Sequence, residues 1–299
     1  MEQVILFGRP TDHYRANIGG RNFYFHSLPI PERLLCMRKN WDDKFVLKQE
    51  LQQAGVPVPK YLQFPVFCSY NHKEIFAKLT KPLIVKPRTG SRGRHTVTNI
   101  STPEELKDAI QVGKKISAYL VAEEHLEGYI CRATFVAGKL LGFYRASAPM
   151  IVGDGEQTIA MLIERENKNK PERVEKINIT EEVLKTIKRA GFGLDSVLPL
   201  ATRLHLTHRA GRLFGGRTKE MLSGLHPSFV PILTKAAQVV DLPVLGFDCV
   251  VPNPEADAAS QRWGIIECNT LPFIDLHYFA LEGKPENIAG AIWNLVSFY

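Results

Sequence analysis

Near the end of the chain, Gly246-Phe247-Asp248 closes one apolar run, and Gly264-Ile265-Ile266-Glu267-Cys268-Asn269 follows a polar stretch, Asn253 to Gln261. Alternate residues of a strand share a face, so Glu267 and Asn269 point the same way, and a neighbouring strand can bring Asp248 to them. Two carboxylates and an amide oxygen suit a hard cation such as Mg2+ when nucleotide phosphates and water complete its coordination. The same pattern also fits a strand that merely carries solvated polar residues.

A second group is cationic. Ile84-Val85-Lys86-Pro87-Arg88-Thr89-Gly90-Ser91-Arg92-Gly93-Arg94 sets a lysine at a strand end and glycines in the turn after it. Glycine amides can approach phosphate oxygens closely, and a lysine adds a point charge. The spacing is not that of a Walker loop, and a Gly-rich hairpin with a basic rim is the alternative. Glu123-Glu124-His125-Leu126 follows another strand-like run and can offer backbone groups to a base edge, or be a solvated acidic stretch. Gly153-Asp154-Gly155 reads as a turn, since both residue types tolerate positive φ. His205 and His208 have no third ligand at zinc spacing, so no zinc site is expected.

The elements that must position these groups alternate between strand and helix. Phe45, Val46, Leu47 and Leu51 recur in a helical rhythm that Gly55 ends, and Thr102-Pro103-Glu104-Glu105 opens a helix with a cap and a proline at its first position. Strands are expected at Val4–Phe7, Leu83–Lys86 and Tyr119–Ala122, and a hairpin over Arg132–Phe143 turning at Gly138. Helical patterns cover 156–169, 181–190, 231–240 and 288–296. The fold class is therefore mixed α/β (α+β), with residues 1–40 forming an abbreviated N-terminal segment ahead of the main domain.

The 299 residues carry a formal charge of +7 and are 44% hydrophobic. That charge suits anionic ligands. There is no basic tract, helix-turn-helix or aromatic-basic pattern, so solvated surface charge is expected rather than nucleic-acid binding. No stretch approaches the roughly 18 apolar residues of a membrane span, and the start lacks a basic leader, so a cytoplasmic protein without membrane attachment is expected. Cys36, Cys68, Cys131, Cys249 and Cys268 are scattered and read as buried thiols.

In their order these pieces resemble the ATP-grasp superfamily, and within it the ATP-grasp module of cyanophycin synthetases and bifunctional glutathione synthetases. Asp43-Lys44 with Lys48, then Ala54-Gly55-Val56-Pro57-Val58-Pro59, looks like the family's D-K-x-x-x-K and A-G-[IV]-P-V-P. Val85-Lys86-Pro87 with the following glycines resembles its phosphate-covering loop, and Glu123 to Gly128 its adenine hinge. Val152-Gly153-Asp154-Gly155 with Thr158-Ile159, Leu162-Ile163, Asn167 and Pro171-Glu172-Arg173 resembles a further, quite specific stretch. Leu194-Asp195-Ser196-Val197, His226-Pro227, and Ile265 to Asn269 with His277 complete the series.

The resemblance implies two α+β subdomains gripping ATP, a lid of about 41–121 and a catalytic part of about 122–299, and ATP-dependent carboxylate-amine ligation through an acyl phosphate. It assigns Lys44 and Lys86 to the ATP phosphates, and Gly90, Ser91, Arg92 and Gly93 to a lid over them. Glu123, Glu124, His125 and Leu126 fall to adenine, and Asp248, Glu267 and Asn269 to Mg2+ or Mn2+. Arg203 and Arg209 fall to a substrate carboxylate, the substrate being an amino acid or small peptide. Such proteins are commonly homodimers, so self-association is an expectation.

The chain departs from the pattern in places. His95 stands where the family loop has glycine, Ile130 where relatives place an acidic residue near the ribose, and Arg209 and Gly211 where they have N-x-N. Arg145 lies one residue off the register of a family arginine. The long N-terminal domain and the Mur-ligase-like domain of cyanophycin synthetase have no counterpart in these residues, so synthesis of that polymer is not expected. A nucleotide-binding module without turnover and a small-molecule kinase are the alternatives to a ligase.

Overall fold

The structure, a computed structural model, describes residues 1–30, 39–67, 70–90 and 95–297. The chain begins with an antiparallel meander, β1 (Glu2–Leu6), β2 (Arg9–Ile18) and β3 (Arg21–His26). Its turns are the residue pairs Phe7-Gly8 and Gly19-Gly20. Both residues of the second pair have positive φ, the backbone that a two-residue hairpin turn demands. Only the first of these strands is legible as such in the sequence.

Helix α1 (Lys44–Gln53) starts where Asp43 accepts the amides of Phe45 and Val46, and Gly55, at φ +71°, turns the chain away after its end. Then come β4 (Tyr61–Pro65), α2 (His72–Lys78), β5 (Leu83–Pro87), β6 (Val97–Ile100), α3 (Pro103–Gly113) and β7 (Tyr119–Glu124). Thr102 and Glu105 close a capping box on α3. Strands order as β4-β7-β5-β6, and α3 lays Leu106, Ala109 and Ile110 on Leu83, Val85 and Leu120. Each fully buried side chain of this size contributes about 1.5–3 kcal/mol. A hairpin follows, β8 (Tyr129–Val136) and β9 (Lys139–Ala146), turning at Ala137-Gly138 as expected.

Residues Tyr144–Glu220 with Phe279–Gly283 make a compact unit of their own. It holds β10 (Met150–Val152), α4 (Ile159–Lys168), α5 (Glu181–Arg189), β11 (Arg203–His205) and β12 (Thr218–Glu220) around Ile151, Ile159, Leu162, Val183, Ile187 and Leu204. Helix α4 starts three residues later than its periodicity predicts. Asp154 holds the amides of Glu156 and Gln157 in a turn, and Thr158 caps the helix.

The remaining residues return to the larger unit as α6 (Phe229–Val240), β13 (Val244–Val251), β14 (Gly264–Asn269), α7 (Asp275–Tyr278) and α8 (Ile288–Ser297). The second large sheet runs β9-β8-β13-β14 in the larger unit, and within the smaller unit the last residues of β9, Tyr144 to Ala146, pair with β12. Leu47 and Leu51 of α1 and Phe229 of α6 join the core of this sheet with Phe135, Phe247 and Trp263. Gly128 passes so close to the end of β13 that a Cβ would lie 2.5 Å from the Val251 carbonyl carbon, which excludes any other residue there.

Candidate active site

Strand register assembles the first group. Asp248 of β13 lies opposite Glu267 of β14 on one side and Arg132 of β8 on the other, and Gly246 lies opposite Asn269. All three predicted metal ligands therefore share one face of the larger unit's sheet. Arg132 grips Asp248 through Nε at 2.5 Å and Nη2 at 3.1 Å. Asn269 gives its amide nitrogen to Asp248 Oδ2 at 3.2 Å and to the Gly246 carbonyl at 3.4 Å. Its amide oxygen is not used in these bonds. Arg132 Nη1 is buried and has no hydrogen-bond partner among the described residues, a donor that a bound anion would complete.

Helix α1 delivers the cations. Lys44 and Lys48 are one turn apart on the same helix face, and both are buried. Lys44 Nζ lies 3.4 Å from Glu267 Oε1 and donates to the Gly90 carbonyl at 3.0 Å. The start of the helix is stitched to the segment after β5: the Lys44 amide donates to the Arg88 carbonyl at 3.0 Å, and Arg88 Nε donates to Asp43 Oδ2 at 2.6 Å. Lys86, at the end of β5, lies 2.9 Å from Glu123 Oε2, and Lys48 lies 2.8 Å from Glu123 Oε1. Burial pushes the Glu123 carboxyl up, but the two ammonium groups outweigh burial and hold it below the usual range. Burial lowers the Lys48 ammonium to about 8 against the pull of Glu123. Asp42, beside this cluster, has its carboxyl raised by partial burial and by Glu267, against the pull of Lys44.

Glu123 and Glu124 lie inside β7, and their carboxylates are committed to the protein. Glu123 serves two lysines, and Glu124 accepts the Lys60 amide at 2.8 Å and pairs with Arg262. The Glu124 amide donates to the Lys60 carbonyl and the His125 amide to the Pro82 carbonyl. Neither acidic side chain is turned to a base, because a carboxylate buried in a central strand needs cationic or amide partners within the fold. Ser91, Arg92 and Gly93 lie outside the described residues, as do Cys36 and Cys68. Cys131, Cys249 and Cys268 are buried free thiols.

Arg203 and Arg209 belong to the smaller unit. Arg203 is exposed on β11, and Arg209 pairs with Glu182 at 3.2 Å over the ring of Phe214. The Gly153-Asp154-Gly155 stretch is scaffold in the same unit. A Cβ on Gly153 would lie 2.1 Å from the Pro199 carbonyl oxygen, Asp154 ties Arg165, and Asn167 brackets Ile177 through both its amide and its carbonyl. His277 is buried in the larger unit against Thr134 at 2.8 Å, under Gly142, where a Cβ would strike its ring.

Residue types in the sequence do not by themselves assign a role to Lys48, Arg132, Asp43 or Arg88. Two signals were present. Lys44 and Lys48 are spaced to share a helix face, and Arg132 is a lone charge in the apolar strand Tyr129–Val136.

No family model matches the chain. The cyanophycin synthetase of Trichormus variabilis is 27% identical over 261 residues, which are 85% of this chain and 29% of that protein. The bifunctional glutathione biosynthesis protein of Clostridium perfringens is 24% identical over 264 residues, 85% of this chain and 34% of that protein. The crystal structure of a bifunctional glutathione synthetase from Pasteurella multocida superimposes with a TM-score of 0.59 at 20% identity, covering 95% of this chain and 40% of that one. The chain has an ATP-grasp fold. It spans about a third of the length of the curated relatives it matches. In this ATP-grasp chain the lysine cluster and the carboxylate face of β13 and β14 belong to one unit and meet through the Lys44 to Glu267 contact. Among the described residues no helix is long and apolar enough to cross a membrane.

Proposed function

We propose that the chain is an ATP-dependent carboxylate-amine ligase that joins an amino acid or small peptide through an acyl phosphate and releases ADP and phosphate. The observation that carries this reading is the buried, charge-unbalanced cluster of Lys44, Lys48, Lys86 and Glu123 against a strand face bearing Asp248, Glu267 and Asn269. Transfer of a phosphoryl group spreads negative charge, so cations fixed in advance supply most of the catalysis. Lys44 and Lys86 are the residues for the phosphates, and Arg132 offers a further buried donor on the same face. The oxygen set suits Mg2+ or Mn2+, which when bound neutralises phosphate charge. Asp248, Glu267 and Asn269 would hold it.

In this reading the backbone at His125 and Leu126 takes the adenine, Gly90 begins the loop over the phosphates, and Arg203 and Arg209 bind a substrate carboxylate. Residues 41–121 make the lid side and 122–299 the catalytic side of a cytoplasmic enzyme that self-associates as a homodimer. The test is the fate of ATP with a panel of amino acids and dipeptides. Orthophosphate together with an amide product supports the ligase. A phosphorylated small molecule would mean a kinase, and binding without turnover a regulatory module.

A further inference from the structure

Lys48 is fully buried, and its ammonium joins three elements. It lies 2.8 Å from Glu123 Oε1 on β7 and donates to the Ile266 carbonyl of β14 at 2.9 Å, while its own backbone belongs to α1. The other oxygen of Glu123 meets Lys86. Two ammonium groups thus share one carboxylate, and the cluster holds net positive charge where water screens it poorly. Buried ion clusters seldom stabilise a fold relative to apolar side chains of the same volume. Stability is a poor reason for this arrangement. Without Lys48, Glu123 would have Lys86 as its one ionic partner, and the ammonium would be drawn fully onto the carboxylate instead of being shared outward.

We propose that Lys48 is a positioning residue for the nucleotide site: anchored by the Ile266 carbonyl, it balances Glu123 so that the Lys86 ammonium stays available to phosphate oxygens. The role rests on the ligase reading only in so far as that reading places nucleotide phosphates at Lys86. Lys48 acts through other residues, since both of its contacts are protein groups.

The test is a binding cycle by titration calorimetry with the Mg2+ complex of a non-hydrolysable ATP analogue, with thermal unfolding recorded on the same samples. It uses the wild type, Lys48→Met, Lys86→Met and the double variant. Lys48→Met should weaken binding roughly ten- to a hundredfold, the scale of one charge-assisted hydrogen bond. In the Lys86→Met background the same change should matter less than about threefold, because the group it acts through is gone. A purely structural role predicts equal losses in both backgrounds. If Lys48→Met does not fold, Glu123→Gln replaces it in the same cycle with the opposite sign: removing the carboxylate that competes for Lys86 should tighten nucleotide binding in the wild-type background and matter less than about threefold when Lys86 is Met, and a loss of equal size in both backgrounds overturns the role. Unchanged affinity in a folded variant, or equal losses in both backgrounds, overturns the positioning role. A wild type that binds no nucleotide overturns the ligase reading first, and the two failures are told apart by that control.

Discussion

Replacing Asp43 by alanine removes three bonds at once. Its Oδ1 accepts the amides of Phe45 at 3.0 Å and Val46 at 3.2 Å, and its Oδ2 accepts Arg88 Nε at 2.6 Å. Loss of an N-cap costs about 1 kcal/mol. A hydrogen bond between charged groups contributes roughly 1.5–3 kcal/mol, taken here near its lower end because the Arg88 side chain is 27% exposed. Asp43→Ala should therefore destabilise the protein by roughly 2–4 kcal/mol. Asp43→Asn keeps the cap and loses only the ion pair, so about half of that loss is expected. Arg88 is not stranded by either change, since it reaches solvent and lies over the rings of Phe45 and Tyr119. Chemical denaturation measures the totals, and amide hydrogen exchange at Phe45 and Val46 reports the cap directly. Both variants should also loosen Lys44 from Gly90 and weaken nucleotide binding. An alanine variant within about 0.5 kcal/mol of the parent, or an asparagine variant equally damaged, would refute the reasoning.

Other expectations follow from the same geometry. Glu267→Ala should lower ATP turnover at least about a hundredfold with little change in Tm, because a carboxylate that is 35% exposed and proposed to hold Mg2+ carries function rather than fold; full turnover measured at low Mg2+ would contradict this. Gly153→Ala should cost about 3 kcal/mol, since backbone oxygens meet the new methyl, whereas Gly155→Ala should cost about 1 kcal/mol through its positive φ; urea midpoints check the ranking. The Lys48 ammonium, lowered to about 8 by burial, is released in the fold before it is released in the unfolded chain. Stability relative to Lys48→Met should therefore rise from about pH 8 to about 10.5, by up to roughly 3 kcal/mol, and a flat difference would dismiss the shift. Arg209→Ala should raise the KM for the amino-acid substrate far more than the KM for ATP, and unchanged substrate kinetics would remove Arg209 from the substrate site.

Much of the scaffold was legible because local signals agree with the final structure. The cap at Thr102, the stop at Gly55, the turn at Gly138 and the alternation along β14 each settle an element within a few residues. The N-terminal meander was not, because charged residues recur along exposed strands and its glycine pair, Gly19-Gly20, reads as a loop rather than a hairpin turn. That Glu267 and Asn269 share a face follows from strand periodicity, whereas the place of Asp248 beside them is set by the pairing of β13 with β14. The fates of Glu123, Lys48 and Arg132 were not legible, because whether a charge can be buried depends on a partner far along the chain, as with Arg132 and Asp248, 116 residues apart. Residues 152–167, conspicuous as a motif, build the turn and cap that start α4.

The most direct test of the ligase account follows an oxygen atom. The protein is supplied with ATP, Mg2+ and a panel of amino acids whose carboxylates carry oxygen-18, and the released orthophosphate is analysed by mass spectrometry. An acyl phosphate requires one carboxylate oxygen to leave with the phosphate when the amine displaces it, so the account predicts orthophosphate bearing a single oxygen-18 in step with amide formation. Orthophosphate free of the label while ATP is consumed would contradict it.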